Sequence, residues 1–316
     1  MANNKIYIVV ALALSAATLI SCSKDDDNAA GGQYSADNQN ANTPRSGEES
    51  VLGYEVPKLN PDYDYICQRL PQGEINYCIE YVKEKLHPHW VAYSYNVKNA
   101  QKNAPNRTEA WSPDPYYDSQ KQYQLSTQTF PGYSRGHLVG SAERYFSSEA
   151  NEQTFLMTNM SPQLSAFNND YWAEIEDKAR DVWGRGVIDQ KSSFYEGTLY
   201  IVKGGTIDKE ENILEYIYVK NTLSQTVQMP VPRYYFMACL FVSSSGEAKA
   251  IGFWMEHKDY NLNTSNAVVM QNFRRSAVCT VDDLEQRTGI DFFCNLPDLV
   301  EEALESKYDI TAWPDL

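Results

Sequence analysis

From Asn168 to Gly186 the chain reads NNDYWAEIEDKARDVWGRG, and no other stretch restricts the fold as strongly. Trp172, Ile175, Ala179, Val182 and Trp183 recur there at helical spacing and Gly184 follows as a stop, which predicts an amphipathic helix with one buried face. Such a face must lie against another layer, and the sequence offers strands for it. β-favouring runs occur at WVAYSYNV (Trp90 to Val97), TFLMTN (Thr154 to Asn159), GTLYIVKGG, RYYFMACLFV and AKAIGFWMEH. Thr280 with Asp283 and Gly289 bracket a further helix, and Pro297 opens another. Strands outnumber helices with no βαβ alternation, so the expected class is α+β, a mostly antiparallel sheet core with flanking helices.

The N-terminus follows other rules. Lys5, an apolar run from Ile6 to Ile20 and then Leu19-Ile20-Ser21-Cys22 read as a lipoprotein signal peptide over residues 1–21, too short to span a bilayer. Cys22 is then the lipidation site, and the acyl chains would tie the protein to a membrane. Ser23-Lys24-Asp25-Asp26-Asp27 resembles the acidic tether of surface lipoproteins, so a bacterial outer-membrane lipoprotein facing the periplasm or the exterior is expected. From Asn28 to about Pro57 large apolar residues are scarce. Residues 22–58 are therefore expected to form a flexible tether and 59–316 a single domain.

Five cysteines remain for an oxidising compartment. Cys239 lies within an apolar run and reads as a buried thiol, while Cys67/Cys78 and Cys279/Cys294 are each placed to close a small loop. None shows C-x-x-C spacing, which argues against a structural zinc. His87-Pro88-His89 has the spacing of a metal pair but no further ligands nearby, and reads as an exposed strand entry.

The chemistry centres on TFPGYSRGHLVGS, Thr129 to Ser141. Gly132-Tyr133-Ser134-Arg135-Gly136 fits the G-x-S-x-G nucleophile elbow of serine hydrolases, but that elbow needs a buried strand entering the serine and a helix leaving it. Pro131 precedes and Gly140 follows, and the only histidine toward the C-terminus is His257. The overlapping Ser134-Arg135-Gly136-His137 fits better. A strand, a turn and the helix starting near Asn168 would set an imidazole opposite the first helical turn, where it can deprotonate a water attacking phosphorus while an amide oxygen holds a hard cation.

SRGHL followed by MTNMSPQLSAFNNDYWAEIEDKAR resembles the DNA/RNA non-specific endonuclease family of ββα-metal (His-Me finger) nucleases. The resemblance implies a ββα-metal finger within the fold, His137 as general base, Asn168 as direct ligand of Mg²⁺ or of Mn²⁺ in its place, and Glu176 as holder of metal-bound water. It also implies Arg135 and Arg180 as phosphate or transition-state contacts, Asn159 as a positioning residue, and an upstream arginine that falls on Arg107. Substrates would be DNA and RNA, leaving 5′-phosphates. The family's usual Asp before Arg-Gly-His is Ser134 here. Asn168 and Glu176 lie about 12 Å apart along an α-helix axis, which suits an outer, water-mediated role for the acid. Glu176 and Arg180, at i and i+4, can pair, and Asn168 is also a favoured N-cap type.

A formal charge of −15 argues against a generic basic nucleic-acid coat. It leaves room for a second expectation: a surface lipoprotein that binds glycan or a partner protein with the nuclease fold idle.

Overall fold

The computed structural model describes residues 8–9, 38–44, 49–104 and 106–316; Cys22 and most of the signal and tether segments lie outside them. The strands are β1 (Asp64–Arg69), β2 (Ile75–Val82), β3 (His87–Tyr95), β4 (Ser134–His137), β5 (Met160–Gln163), β6 (Thr198–Gly205), β7 (Ile213–Lys220), β8 (Thr226–Pro232), β9 (Tyr234–Val242), β10 (Glu247–Glu256) and β11 (Val278–Cys279). The helices are α1 (Ser148–Gln153), α2 (residues 165–188), α3 (Ala267–Ser276), α4 (Val281–Thr288) and α5 (Asp298–Glu305). The central sheet runs β1-β2-β3-β6-β9-β10, with every neighbour antiparallel, and β11 and the pair Ile8–Val9 both join β10. Two hairpins stand apart from it, β4-β5 and β7-β8. The α+β architecture matches the expectation.

Side chains alternate across a strand, and here both faces are covered. On β9, Tyr235, Met237, Cys239 and Phe241 enter one core while Phe236, Ala238, Leu240 and Val242 enter another. The first core takes the apolar face of α2, and the second takes Val281 and Leu284 of α4 and Leu304 of α5. This explains why RYYFMACLFV is apolar throughout instead of alternating. The caps of α4 are those read from the sequence: Thr280 accepts from the Asp283 N–H, and Gly289 closes the helix at φ 78°. Among the described residues no helix is long and apolar enough to cross a membrane.

Several expectations are corrected. TFLMTN is not a strand: Phe155 and Met157 are buried from a turn, and the strand is the next segment, MSPQ. The stretch read as tether is anchored where it is described. The Asn42 amide donates to Pro57 O at 2.9 Å and accepts from the Leu59 N–H at 3.0 Å, with Val51 and Val56 buried, so the folded unit begins upstream of Leu59. Cys67 and Cys78 face each other across β1 and β2 and are disulfide-bonded, whereas Cys279 and Cys294 are separate buried thiols, as is Cys239. Cys294 turns its thiol toward Val56 O instead.

His87 and His89 are buried in β3, not exposed at its entry, and they hold protein groups in place of a metal. The ring of His87 bonds Ser161 Oγ at 2.8 Å. His89 sits between Glu80 and Asp208, at 2.7 Å from each. Burial pulls the His89 pKa down, but the hydrogen bonds and charges of Asp208 and Glu80 outweigh it and raise the pKa to about 9. The sign of the linkage follows. Stabilisation from this pair of contacts is complete below the unfolded value near 6.5 and is lost as pH rises through 9. Urea unfolding at pH 6 and at pH 10 should therefore show a loss of roughly 3 kcal/mol that His89→Gln largely removes.

Candidate active site

The β4-β5 hairpin places Ser134 opposite Gln163, Gly136 opposite Ser161 and His137 opposite Met160. Pro162 is tolerated because this two-stranded ribbon has a free edge. Gly136 is required by close approach: a Cβ there would meet the buried Gln163 side chain at 2.0 Å. Asn159, fully buried, braces the segment after His137. Its Oδ1 accepts from the Val139 N–H at 2.8 Å, its Nδ2 donates to Val139 O at 2.9 Å and Thr154 O at 2.8 Å, and its carbonyl accepts from the Leu138 N–H at 3.0 Å. Asn159 thus fixes where the histidine strand ends.

His137 is enclosed by rings. The Trp111 and Phe155 centroids lie 5.2 and 5.0 Å from its own, and Nε2 is buried with no hydrogen-bond partner among the described residues. The Arg135 guanidinium stacks on Trp111 at 3.5 Å, and that of Arg107 lies over Phe155 at 4.7 Å. Glu109 joins the two sides, pairing with Arg107 and accepting from the Trp111 indole at 2.8 Å. Burial, and then the positive charges of Arg107, Arg135 and Lys203, lower the His137 pKa to about 3, so the imidazole is neutral. A neutral imidazole with a partnerless buried nitrogen, flanked by two guanidinium groups, can accept a proton next to a bound anion.

Helix α2 brings the other residues. Phe167, Tyr171, Ile175, Ala179 and Trp183 are buried at a constant interval of four. In a pure α-helix each such step overshoots one turn by about 40°, and after four steps the row would have drifted by about 160°. The helix avoids this drift by widening. Phe167–Trp172 and Lys178–Gly184 are π-helical, on either side of the α-helical Ala173–Asp177. The adjacent row, Asn168, Trp172, Glu176 and Arg180, keeps the same interval and therefore stays along one side of the helix. The candidate ligand and the candidate acid are aligned by this underwinding. Asn168 lies inside the helix, which has already begun at residue 165, so it is not the cap; its Nδ2 donates to Asn169 Oδ1 at 3.0 Å, leaving the amide oxygen for another partner.

Glu176 does not pair with Arg180. Its Oε1 accepts from Lys203 Nζ at 2.7 Å, and Lys203 also donates to Glu143 Oε2 at 2.7 Å. Glu143 is held in turn by Tyr93 Oη at 2.6 Å and the Gly140 N–H at 2.6 Å. Arg180 pairs instead with Asp177 at 2.7 Å and Asp181 at 2.5 Å. Burial raises the Glu176 pKa to about 7, although Lys203 draws it down. The Lys203 charge reaches both Glu176 and His137, so the strand-borne and helix-borne halves of the site share one electrostatic centre.

Lys203, Glu143 and Trp111 are absent from the sequence-derived set. Lys203 carried a legible signal: it has the same parity on β6 as the inward-facing Leu199 and Ile201, and a charge on a buried face needs a partner. The serine reading fails on geometry. Ser134 opens β4 instead of ending a strand, no helix leaves it, and His257 is used elsewhere, its Nδ1 bonding Pro232 O at 2.8 Å and its Nε2 accepting from the Leu164 N–H at 2.7 Å.

The sequence model of the DNA/RNA non-specific endonuclease family matches residues 71–299. A nuclease of a Nostoc species is 29% identical over 262 residues, covering 81% of this chain and 83% of that protein. The mitochondrial nuclease of Saccharomyces cerevisiae is 26% identical over 231 residues, 71% of this chain and 65% of its own. In fold, the chain is similar to a solved structure of the EndoG/EndoGI complex, with a TM-score of 0.54 at 18% identity over 78% of this chain and 91% of that one. With the family match spanning most of the folded part and containing both the β4-β5 hairpin and α2, this chain belongs to the DNA/RNA non-specific endonucleases.

Proposed function

We propose that the protein is a metal-dependent endonuclease that hydrolyses phosphodiester bonds of DNA and RNA with little sequence preference. The observation that carries this reading is the buried Nε2 of His137, which has no hydrogen-bond partner among the described residues and lies within the field of the Arg107 and Arg135 guanidinium groups. In this role Nε2 takes the proton of the water that attacks phosphorus, and the attacking oxygen displaces the 3′-oxygen, leaving a 5′-phosphate. Arg135, held by Trp111, and Arg107 stabilise the charge that grows on the non-bridging oxygens. Asn159 positions the histidine segment, and Arg180, already neutralised by two aspartates, acts at longer range.

The donor set fits a hard divalent cation such as Mg²⁺. Were such an ion bound, the Asn168 amide oxygen would be its direct ligand and Glu176, on the same side of α2, would hold water of its outer shell. When bound, such an ion adds Lewis-acid stabilisation of the accumulating negative charge. Glu176 is kept from ionising freely by its burial, and Lys203 restores its charge, so the acid's readiness to accept from water is set by this chain's own residues. The proposal extends to a lipid anchor on Cys22 at the bacterial outer membrane, for which the sequence of residues 6–27 is the support.

The test is incubation of the protein with plasmid and with RNA, in Mg²⁺ and then in excess EDTA. Cleavage should require the metal, and Asn168→Ala should lose more than the roughly 10–100-fold that outer-shell changes cost. Absence of cleavage under every condition would leave the binding-protein reading that the charge of −15 favours.

A further inference from the structure

On the sheet face opposite His137, α4 and α5 turn acids toward each other. Asp282, Glu285 and Glu305 each offer a carboxylate oxygen, and these atoms all lie within 4.8 Å of one another. The three grade inward: Asp282 is exposed, Glu285 is half-buried and Glu305 is 3% exposed. Glu305 Oε1 is buried with no hydrogen-bond partner among the described residues. Glu301, one turn before Glu305, and Asp291 add their charges to the same region. Like charges at i,i+3 on α4 and i,i+4 on α5 each oppose their helix, and burial multiplies the cost. The tie from the N-terminal segment is an amide: Asn40 Nδ2 donates to Glu301 at 3.0 Å and to Asp291 at 3.2 Å, and its buried Oδ1 has no partner either.

From the convergence of these three side chains and the unpartnered inner oxygen we infer that Asp282, Glu285 and Glu305 form a structural site for a hard divalent cation, Ca²⁺ in particular. The donor count favours the larger ion. Three carboxylates converge here, whereas Mg²⁺ is usually held by one or two and keeps most of its waters in a strict octahedron; Ca²⁺ accepts about six to eight oxygens in a flexible shell. The exposed Asp282 end leaves room for waters to complete the larger shell. The ion would clamp α4 to α5, and its charge would offset carboxylates that burial and mutual repulsion otherwise hold up, to about 7 at Glu285 and about 11 at Glu305. The competing state is neutralisation by protons.

Calorimetric titration of Ca²⁺ into the purified full chain separates these cases. An Asn168→Ala background keeps the site on α2 out of the measurement. One Ca²⁺ is expected to bind in that background, to be lost in Asp282→Asn/Glu285→Gln added to it, and to bind at least tenfold more weakly as Mg²⁺. At 5 mM Ca²⁺ the unfolding midpoint should rise by about 3–6 °C over EDTA, and Asp282→Asn, at the exposed end where folding is least at risk, should abolish most of that rise. No Ca²⁺ binding, or equal shifts in parent and Asp282→Asn chains, would overturn the assignment in favour of protonated carboxyls.

Discussion

Replacement of His137 by alanine is expected to lower plasmid cleavage by roughly two to four decades at neutral pH, with the fold intact by circular dichroism. The size follows from the general-base role proposed for His137: the group assigned the attacking water's proton is lost while the arginine charges remain. The pH profile should distinguish this role from a structural one. Burial and the nearby charges of Arg107, Arg135 and Lys203 hold the free imidazole at about 3, so the acid limb of kcat/KM should lie well below neutrality. A bound phosphodiester brings one negative charge beside the two arginines and offsets part of their field. The same imidazole then becomes easier to protonate, and the acid limb of kcat should move to higher pH than that of kcat/KM. Undiminished cleavage by His137→Ala would refute the assignment.

The second large effect is on stability. Lys203→Met should cost about 3–5 kcal/mol in urea unfolding, because it leaves Glu143 and Glu176, whose side chains are 1% and 15% exposed, facing each other without a counter-charge. The deficit should narrow as pH falls from the alkaline side toward about 7: Lys203 draws the Glu176 pKa down to that value, so without the ammonium the carboxyl takes up its proton at higher pH and no longer needs a counter-charge. A loss under 1 kcal/mol even at pH 9 would mean that solvent, not Lys203, carries the acids.

The site was more legible in the sequence than the scaffold, and the reason is physical. The residues of SRGH and of α2 sit in motifs that resemble those of a known family, so candidate roles could be proposed for them before their positions were known. Strand boundaries have no such marker. Phe155 and Met157 make TFLMTN look like a strand only because they are buried, and burial from a turn looks the same in sequence. The strand beside His137 is MSPQ, short, proline-containing and unlike any β-rich run. The β1, β2, β7 and β8 strands also escape a reading based on continuous apolar runs. In β7, Tyr218 and Lys220 interrupt the run because their face is open, and in α3 the charged Arg274 is buried against Glu174 at 2.7 Å. Pairing was the other blind spot. The i,i+4 rule sends Glu176 to Arg180, but the widened turns of α2 and the ammonium at the sheet face redirect both.

The four-residue winding of α2 makes the number of residues between Asn168 and Glu176, more than their neighbours' identities, the quantity that matters. Swapping an intervening side chain perturbs packing locally, while losing or gaining a single residue rotates one end against the other by about a quarter turn. That segment should behave as a gauge of fixed length, open to spelling changes and closed to indels.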